Sequence, residues 1–515
     1  MQRLLLALFL VLPAFCQPPT AQGDLDDYIL RAMKTFDVPG VSVAVVKDGA
    51  VVFAKGYGVR KLGETAPVDS HTLFGIGSNT KAFTTASLGI LVDEGKLSWD
   101  DRVVDRLPGF QMYDAYVTHE MTIRDLLTHR SGLGLGAGDL LFFPPSSYTR
   151  EDIIAKLRYI KPESSFRSKY AYDNLLYMVA GQIIPVVTGK QWQDFIKERI
   201  FAPVGMSDSN TSAADFRPDG DFAAPHSEVE GKLQPIPAAQ IDNVAPAGAI
   251  NSSASDMAKW MIVQLGSGKI PDGDQRLFSQ RVAKEMWSAQ TILPVGDLPP
   301  ALAALKTNFA AYGLGWLLRE YRGYKQVTHD GGLPGYVSRV ALIPDLKLGV
   351  VVLTNQESVG LLGAISYRIL DSYLSAPSMD WVKTIHDIQN MQKAGAADIE
   401  KSQTSARNAN SKPSLPLEKY SGKYADAWYG DIAISMEQNG LVMRFSHSPA
   451  LTGDLEHWQY DTFKAHWRDR SLAADAFVTF ALNPDGSINQ VKMVPVSPLT
   501  DFSYDFQDLL IKPKK

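Results

Sequence analysis

Between Ala394 and Pro416 the sequence loses almost every large apolar residue and keeps Ala, Ser, Asn and Lys. A stretch of that composition has too little apolar surface to join a core, so in a chain of 515 residues it reads as a linker between two units. The patterning differs on its two sides. Before it, Asp24 to Phe36 carries apolar residues at helical spacing and stops ahead of Pro39-Gly40. Val41 to Val46 and Ala50 to Gly58 form a β-branched hairpin pattern across Asp48-Gly49. A helix-rich middle follows, broken by Gly132 to Gly138 and by Pro144-Pro145. Strand patterns return at Gly313 to Leu318, Gln326 to His329, Val337 to Ile343 and Gly349 to Leu353, and helical ones at about Val359 to Tyr373 and Met379 to Gln392. After the linker, Leu417 to Ile511 alternates apolar and polar residues in short runs split by turn signals, an all-β pattern. The expected layout is residues 24–392, a linker at 393–416, and a β domain at 417–511.

The first residues carry a compartment signal. Arg3 precedes an apolar run from Leu4 to Leu12, and Pro13 to Cys16 supply small residues for cleavage. This is the order and length of a secretory leader over 1–16, too short to span a bilayer, and it predicts an exported, periplasmic or extracellular protein. Cys16 is the only cysteine; if it leaves with the leader, neither a disulfide nor a catalytic thiol remains. A net charge of −5 argues against a nucleic-acid partner, which needs a basic face. No later apolar stretch is long enough for an integral membrane span, and nothing in the sequence assigns an oligomeric state.

Three short motifs carry chemistry. Ser78-Asn79-Thr80-Lys81 opens a helical stretch, and residues three apart share a helix face, so Lys81 reaches the Ser78 hydroxyl. A serine hydroxyl needs such a neighbouring base to attack at neutral pH. Tyr172-Asp173-Asn174 lies in a loop before the helical run Leu175 to Thr188. Tyrosine ionises near ~10, and a nearby ammonium favours its charged form, so Tyr172 is a candidate to take and return the Ser78 proton. Asn174 would hold a substrate carbonyl or the lysine. His329-Asp330-Gly331-Gly332 ends a strand pattern; its glycines let a substrate approach, and a backbone N–H near Gly332 paired with that of Ser78 would form an oxyanion hole. Three histidines of the β domain, His447, His457 and His466, lack metal-ligand spacing.

Ser-x-x-Lys, Tyr-x-Asn and His-x-Gly, in this order on helix, loop and strand, resemble the serine β-lactamase and penicillin-binding-protein superfamily, and within it the class C β-lactamase-like branch of esterases, D-aminopeptidases and DD-carboxypeptidases. The likeness covers about Asp24 to Leu374 and includes Leu126 to Leu133, Pro203 to Met206 and Pro246-Ala247-Gly248. It implies an α+β fold, a three-layer α-β-α sandwich with an antiparallel sheet and a helical insertion. It also implies catalytic Ser78, Lys81, Tyr172, Asn174 and His329, with Gly331 and Gly332 at the oxyanion edge, and no metal or organic cofactor. The part after the linker resembles a lipocalin-like barrel. The family's usual Thr and small residue are replaced by Arg130 and Asp173, the latter a carboxylate expected to raise the Tyr172 pKa or steer cationic substrates. His329 replaces the Lys of a Lys-Thr-Gly motif, whose cation attracts carboxylates; a neutral imidazole ranks esters, amides and D-amino-acid peptides above β-lactams. The expected partner is a small molecule or short peptide, hydrolysed through a Ser78 ester. The alternatives are a β-lactamase or DD-peptidase, and a penicillin-binding sensor or ligand-binding protein.

Overall fold

The computed structural model describes residues 22–514 apart from 218, 272 and 439. The leader read at 1–16 lies outside the described residues. Helix α1 (Gln22–Phe36) leads into the expected hairpin, β1 (Gly40–Lys47) and β2 (Ala50–Gly58). The buried helices α2 (Thr80–Asp93), α3 (Leu175–Thr188) and α4 (Ala254–Leu265) belong to the middle of the chain. Strands β3 (Thr291–Leu293), β4 (Ala310–Tyr312), β5 (Leu317–Tyr321), β6 (Tyr324–Leu333), β7 (Tyr336–Ile343) and β8 (Leu348–Thr354) complete an eight-stranded antiparallel sheet ordered β2-β1-β8-β7-β6-β5-β4-β3. The chain's first hairpin therefore joins its late strands through β1 and β8, with Val43 opposite Val352.

Strand β8 shows why the sheet is the middle layer. All seven of its residues are buried, and alternate side chains enter opposite cores because successive strand residues face opposite ways. Val350 and Val352 pack under α1, α5 (Val359–Tyr373) and α6 (Trp381–Ala406); Val351 and Leu353 pack toward α2 and α4, where Phe83 stacks on Trp260 with ring centroids 4.0 Å apart. The run expected as one strand over Gly313 to Leu318 is mostly the turn between β4 and β5, and only Leu317 and Leu318 lie in a strand. Gly313 lies so close to the Met286 carbonyl that a Cβ would be 2.3 Å from it, and Gly315 turns the chain at φ +81°. Conversely, β6 continues through Gly331 and Gly332 to a tight turn at Pro334-Gly335.

The second unit is an antiparallel sheet of β9 (Gly422–Asp426), β10 (Gly430–Glu437), β11 (Gly440–Phe445), β12 (Thr452–Gln459), β13 (Thr462–Trp467), β14 (Ala476–Leu482), β15 (Ile488–Pro495) and β16 (Lys512–Pro513), ordered β15-β14-β13-β12-β11-β10-β9-β16. Val491 and Ile511 exchange backbone hydrogen bonds between its two ends, so the barrel is nearly closed. His447 stacks on Tyr148, His457 faces the Tyr460 carbonyl, and His466 lies between Glu456 and Asp475.

The expected linker needs correcting. Helix α6 runs to Ala406, deep into 393–416, because Ala, Gln, Glu and Lys are strong helix formers and one apolar residue per few turns suffices to seat it; Ala396 is that buried contact. Only 407–416 is non-helical at first, and it is pinned: the Arg407 guanidinium donates to the His457 carbonyl (2.9 Å), and Ser414 bonds Asp461. Gly395 lies inside this helix with open space where a Cβ would go. Gly395→Ala is therefore expected to stabilise the helix locally by about 1 kcal/mol. Slower amide hydrogen exchange over residues 393–404 is the readout; unchanged exchange is what a linker would give.

Candidate active site

Gly77 to Asn79 form one tight helical turn that leads into α2. Gly77 has φ +51°, and a Cβ there would meet the Gly332 amide nitrogen at 2.7 Å, so only glycine lets this turn lie against β6. The turn is anchored from β7: Asn79 donates to the Ser338 hydroxyl (2.8 Å), which donates to the Ile76 carbonyl (2.7 Å). Pairing of β6 with β5 ends at Thr328, so the strand edge beyond it is free to face this turn.

Lys81 lies one helical turn beyond Ser78 and is fully buried. Its Nζ is 3.0 Å from Ser78 Oγ, 2.7 Å from Asn174 Oδ1 and 3.0 Å from the Ala247 carbonyl. The latter two are acceptors only, so they take two N–H bonds and turn the third direction of Nζ toward the serine. Burial holds the Lys81 pKa down at about 7, against the opposing pull of Asp139 and Asp173.

The Tyr172 hydroxyl lies near enough to Ser78 to feel it electrostatically, and Lys81 Nζ is 4.8 Å from the Tyr172 ring centroid. The expectation that the lysine would favour a phenolate does not hold. Burial pushes Tyr172 well above its ordinary value, and only the Ser78 hydroxyl pulls the other way among the strongest influences. Asp173 does not steer substrates either: it is buried, and its Oδ1 accepts the Leu176 N–H as a cap on α3. Arg130, the other departure from the family pattern, is a strut, bonded to Asp125 (2.8 Å) and the Gln290 carbonyl.

Asn174 holds the lysine rather than an open substrate position. Its Nδ2 donates to Asp139 Oδ2 at 2.8 Å, which fixes the amide with Oδ1 toward Lys81. His329 is buried with Nδ1 2.6 Å from the Asp330 carbonyl and Nε2 2.8 Å from the Tyr312 hydroxyl. Both nitrogens are engaged, so neither faces Ser78; the ring packs beside Tyr172, with centroids 6.3 Å apart. Burial and the nearby Lys81 hold its pKa down to about 3, a neutral imidazole. Gly331 is pressed on the Ile76 carbonyl, where a Cβ would come within 1.9 Å, while Gly332 is exposed with nothing in its Cβ direction.

Three contributors were not read from the sequence. His129, held at φ +51°, accepts the Asp173 N–H at Nδ1 and lays its ring 4.2 Å from that of Tyr172. It falls in a segment noted only as family-like. Asp139 follows the Gly-rich loop and had no motif to mark it. Phe502 comes from the second unit, with its ring 6.2 Å from Tyr172. It lines a cleft of about 610 Å³ together with Leu135, Glu163 and Ile399.

A hydroxyl, a buried near-neutral amine and a phenol in mutual contact, at the end of a buried helix beside a free sheet edge, define the class of serine hydrolases that work through an acyl-enzyme. The comparisons with known proteins agree. The family model described as Beta-lactamase matches residues 25–371, and the chain belongs to that family. A domain of unknown function, DUF3471, matches 406–513. The unguisins hydrolase ungD' of Aspergillus campestris is 32% identical over 434 residues, covering 81% of this chain and 78% of its own. Penicillin-binding protein 4 of Amycolatopsis lactamdurans is 30% identical over 329 residues, covering 62% of this chain and 81% of its own. The octameric penicillin-binding protein homologue from Pyrococcus abyssi shares the fold over 96% of this chain and 100% of its own, at TM-score 0.62 and 24% identity. A class C β-lactamase shares it over 68% of this chain and 96% of its own, at TM-score 0.56 and 21% identity.

The two strand glycines separate packing from access. Gly331→Ala is expected to force the turn at Ser78 off β6, costing about 1–3 kcal/mol and most activity. Gly332→Ala should leave the melting temperature unchanged. Thermal melts and turnover of the two purified variants check this.

Proposed function

We propose that Ser78 is the nucleophile of acyl transfer to water, with Lys81 as its base and Tyr172 as the proton donor to the leaving group. The observation that carries the reading is the arrangement around Lys81 Nζ: two obligate acceptors on two sides and the Ser78 hydroxyl on the third. A neutral amine donates to Asn174 and Ala247 and keeps its lone pair for the serine proton. Ser78 Oγ then bonds the substrate carbonyl carbon, whose oxygen becomes the oxyanion. The amides of Ser78 and Gly332 are the proposed donors to it. As the bond to the leaving group breaks, Tyr172 gives it a proton and recovers one from Lys81. Water, deprotonated through the same groups, releases the acid and restores Ser78.

The substrate class follows from charge. β6 offers a neutral His329 where a cation would bind a carboxylate. The neighbouring Arg339 is locked on Asp330 at 2.6 and 2.7 Å. Neutral carbonyl compounds, namely esters, amides and D-amino-acid peptides, suit this edge better than β-lactams. The hydrolase named among the relatives supports hydrolysis, and the penicillin-binding protein keeps β-lactams and peptidoglycan stems as the second reading. The leader-like residues 1–16 support export. Among the described residues no helix is long and apolar enough to cross a membrane.

A fluorophosphonate probe is expected to label Ser78, and Ser78→Ala to lose all labelling; labelling that persists elsewhere in the variant removes Ser78 from the role. Tyr172→Phe should cut turnover by about 10²–10⁴-fold while the protein stays folded. Hydrolysis of p-nitrophenyl esters and of D- and L-aminoacyl anilides should exceed that of nitrocefin. The pH profile has a definite sign. Below about 7 Lys81 is an ammonium without a lone pair, so kcat/KM should fall about tenfold per pH unit there and level off above. Asp139, Asp173, Tyr172 and His329 all face or adjoin this amine. Of these, the two carboxylates raise its pKa, so a limb moderately above 7 agrees with the reading and a flat profile does not.

A further inference from the structure

The second unit reaches the catalytic lysine. Its segment 501–505 enters the first unit and clamps Asp139 from several directions. Asp505 accepts the Gly138 N–H (2.6 Å) and the Leu140 N–H (3.1 Å), the amides on either side. Ser503, whose own N–H is held by Asp501 Oδ1 (2.8 Å), donates its hydroxyl to Asp139 Oδ2 at 2.8 Å. The same oxygen takes Asn174 Nδ2, and Asn174 Oδ1 takes Lys81 Nζ, which faces Ser78 Oγ. Four contacts thus connect the barrel to the serine. All of the side chains that link Ser503 to Lys81 are buried.

We infer that Ser503 and Asp139 are positioning residues for Lys81: they select which end of the Asn174 amide meets the lysine, and so make the second unit a working part of the hydrolytic site.

A carboxamide is nearly symmetric in shape, and its orientation is set by its partners. With Oδ1 toward Lys81, an amine N–H is consumed and the lone pair remains for Ser78. With the amide turned over, Nδ2 would seek that lone pair and compete with the serine proton. An acceptor on the far side excludes the second arrangement, and Asp139 Oδ2 is that acceptor. Its protonation does not disturb this. Burial raises the carboxyl to about 8, opposed by Ser503, Asn174 and Lys81, with Asp501 adding to the rise and Asp505 buried alongside. The other oxygen, Oδ1, has no hydrogen-bond partner among the described residues and is the natural seat of the proton. Oδ2 therefore remains an acceptor either way.

The inference rests on the reading of Ser78 and Lys81 above, and one experiment on the full chain separates the two. The rate of Ser78 acylation by a fluorophosphonate, steady-state kcat and KM for a p-nitrophenyl ester, and the melting temperature are measured together. Parent protein left unlabelled at Ser78 overturns the underlying reading. With the parent labelled, Ser503→Ala is expected to lower the acylation rate and kcat about tenfold with KM little changed, since small misplacements of catalytic groups cost this much or more. Ser503→Thr, which keeps the hydroxyl, should recover most of the rate. Asp139→Asn keeps an acceptor and should stay within severalfold of the parent, whereas Asp139→Leu should fall about a hundredfold. Tyr148→Phe removes a different bond between the units, the one from the Tyr148 hydroxyl to the Tyr429 carbonyl, and should lower the melting temperature alone. Parent-like acylation and kcat in Ser503→Ala overturn the inference. So does an equal loss in Tyr148→Phe, which would mean that docking in general, and not this contact, is what matters. If Asp139→Leu does not fold, the Ser503→Ala and Ser503→Thr pair decides.

Discussion

The burial of one ammonium group organises this protein. Moving the Lys81 pKa from 10.5 to about 7 represents roughly 5 kcal/mol against its charged form. A cost of that size persists only where the surrounding packing enforces it. Here α2 is enclosed for nearly its whole length, Thr80 to Val92, and buried Thr84 on it bonds the Pro246 carbonyl and receives the Trp192 N–H. The lysine is held dry because the helix that carries it is the middle of the core. The same enclosure explains why its partners are a carbonyl and an amide oxygen in place of a carboxylate. A direct carboxylate neighbour would restore the charge that burial removes, and Asp139 is set one residue further away, behind Asn174.

That arrangement gives the β domain a reason to be where it is. The two units share a continuous apolar core, with Tyr148, Leu140 and Phe142 on one side and Tyr429, Phe506 and Trp467 on the other. Aromatic contacts such as Phe143 with Tyr504, at 5.1 Å between ring centroids, make the interface resemble a domain interior. Asp139 is fully buried, with Ser503 of the second unit on one side of its carboxyl and Asn174 of the first on another. With its carboxyl raised to about 8 it is largely protonated near neutrality, and so favours the charged lysine less than an ionised carboxylate there would. The barrel thus shapes the site through dielectric as well as through contact.

The parts of the fold that were legible are those with strong periodicity. The hairpin at Val41 to Gly58, the late strands and the all-β tail each carry a period that burial enforces, and the pairing of the first two into one sheet agrees with the antiparallel sheet that the family likeness implies. Ser78, Lys81, Tyr172 and Asn174 were legible because their spacing is local or motif-borne, and the structure brings all four together. What failed was what depends on neighbours. Residues 394–406 looked like a linker because helix propensity is weak evidence when one buried alanine seats the element. Asp173 looked like a substrate-steering charge because a sequence does not show that it faces the start of α3. His329 was placed in the catalytic set because its partner Tyr312, which engages its Nε2, belongs to another strand and no motif pairs the two. Asp139 and Ser503 are 364 residues apart, and neither stands in a pattern that would pair them.

The neutrality of His329 and that of Lys81 belong to one electrostatic design. The lysine contributes to the depressed pKa of the imidazole, and by reciprocity a cation at 329 would depress the lysine further. A strand cation that binds substrate carboxylates must therefore be offset by negative charge near the base. In this protein Asp139 and Asp173 favour the charged lysine only from behind Asn174 and from the α3 cap, and Asp330 is committed to Arg339. A neutral residue at 329 and a modest counter-charge at the base are electrostatically consistent with each other. A site built this way suits the proposed neutral carbonyl substrates, and Phe502 sets an apolar ring of the barrel 6.2 Å from that of Tyr172. Because Phe502 and Ser503 are adjacent, the loop that docks the second unit is also the one that reaches Tyr172 and Asp139.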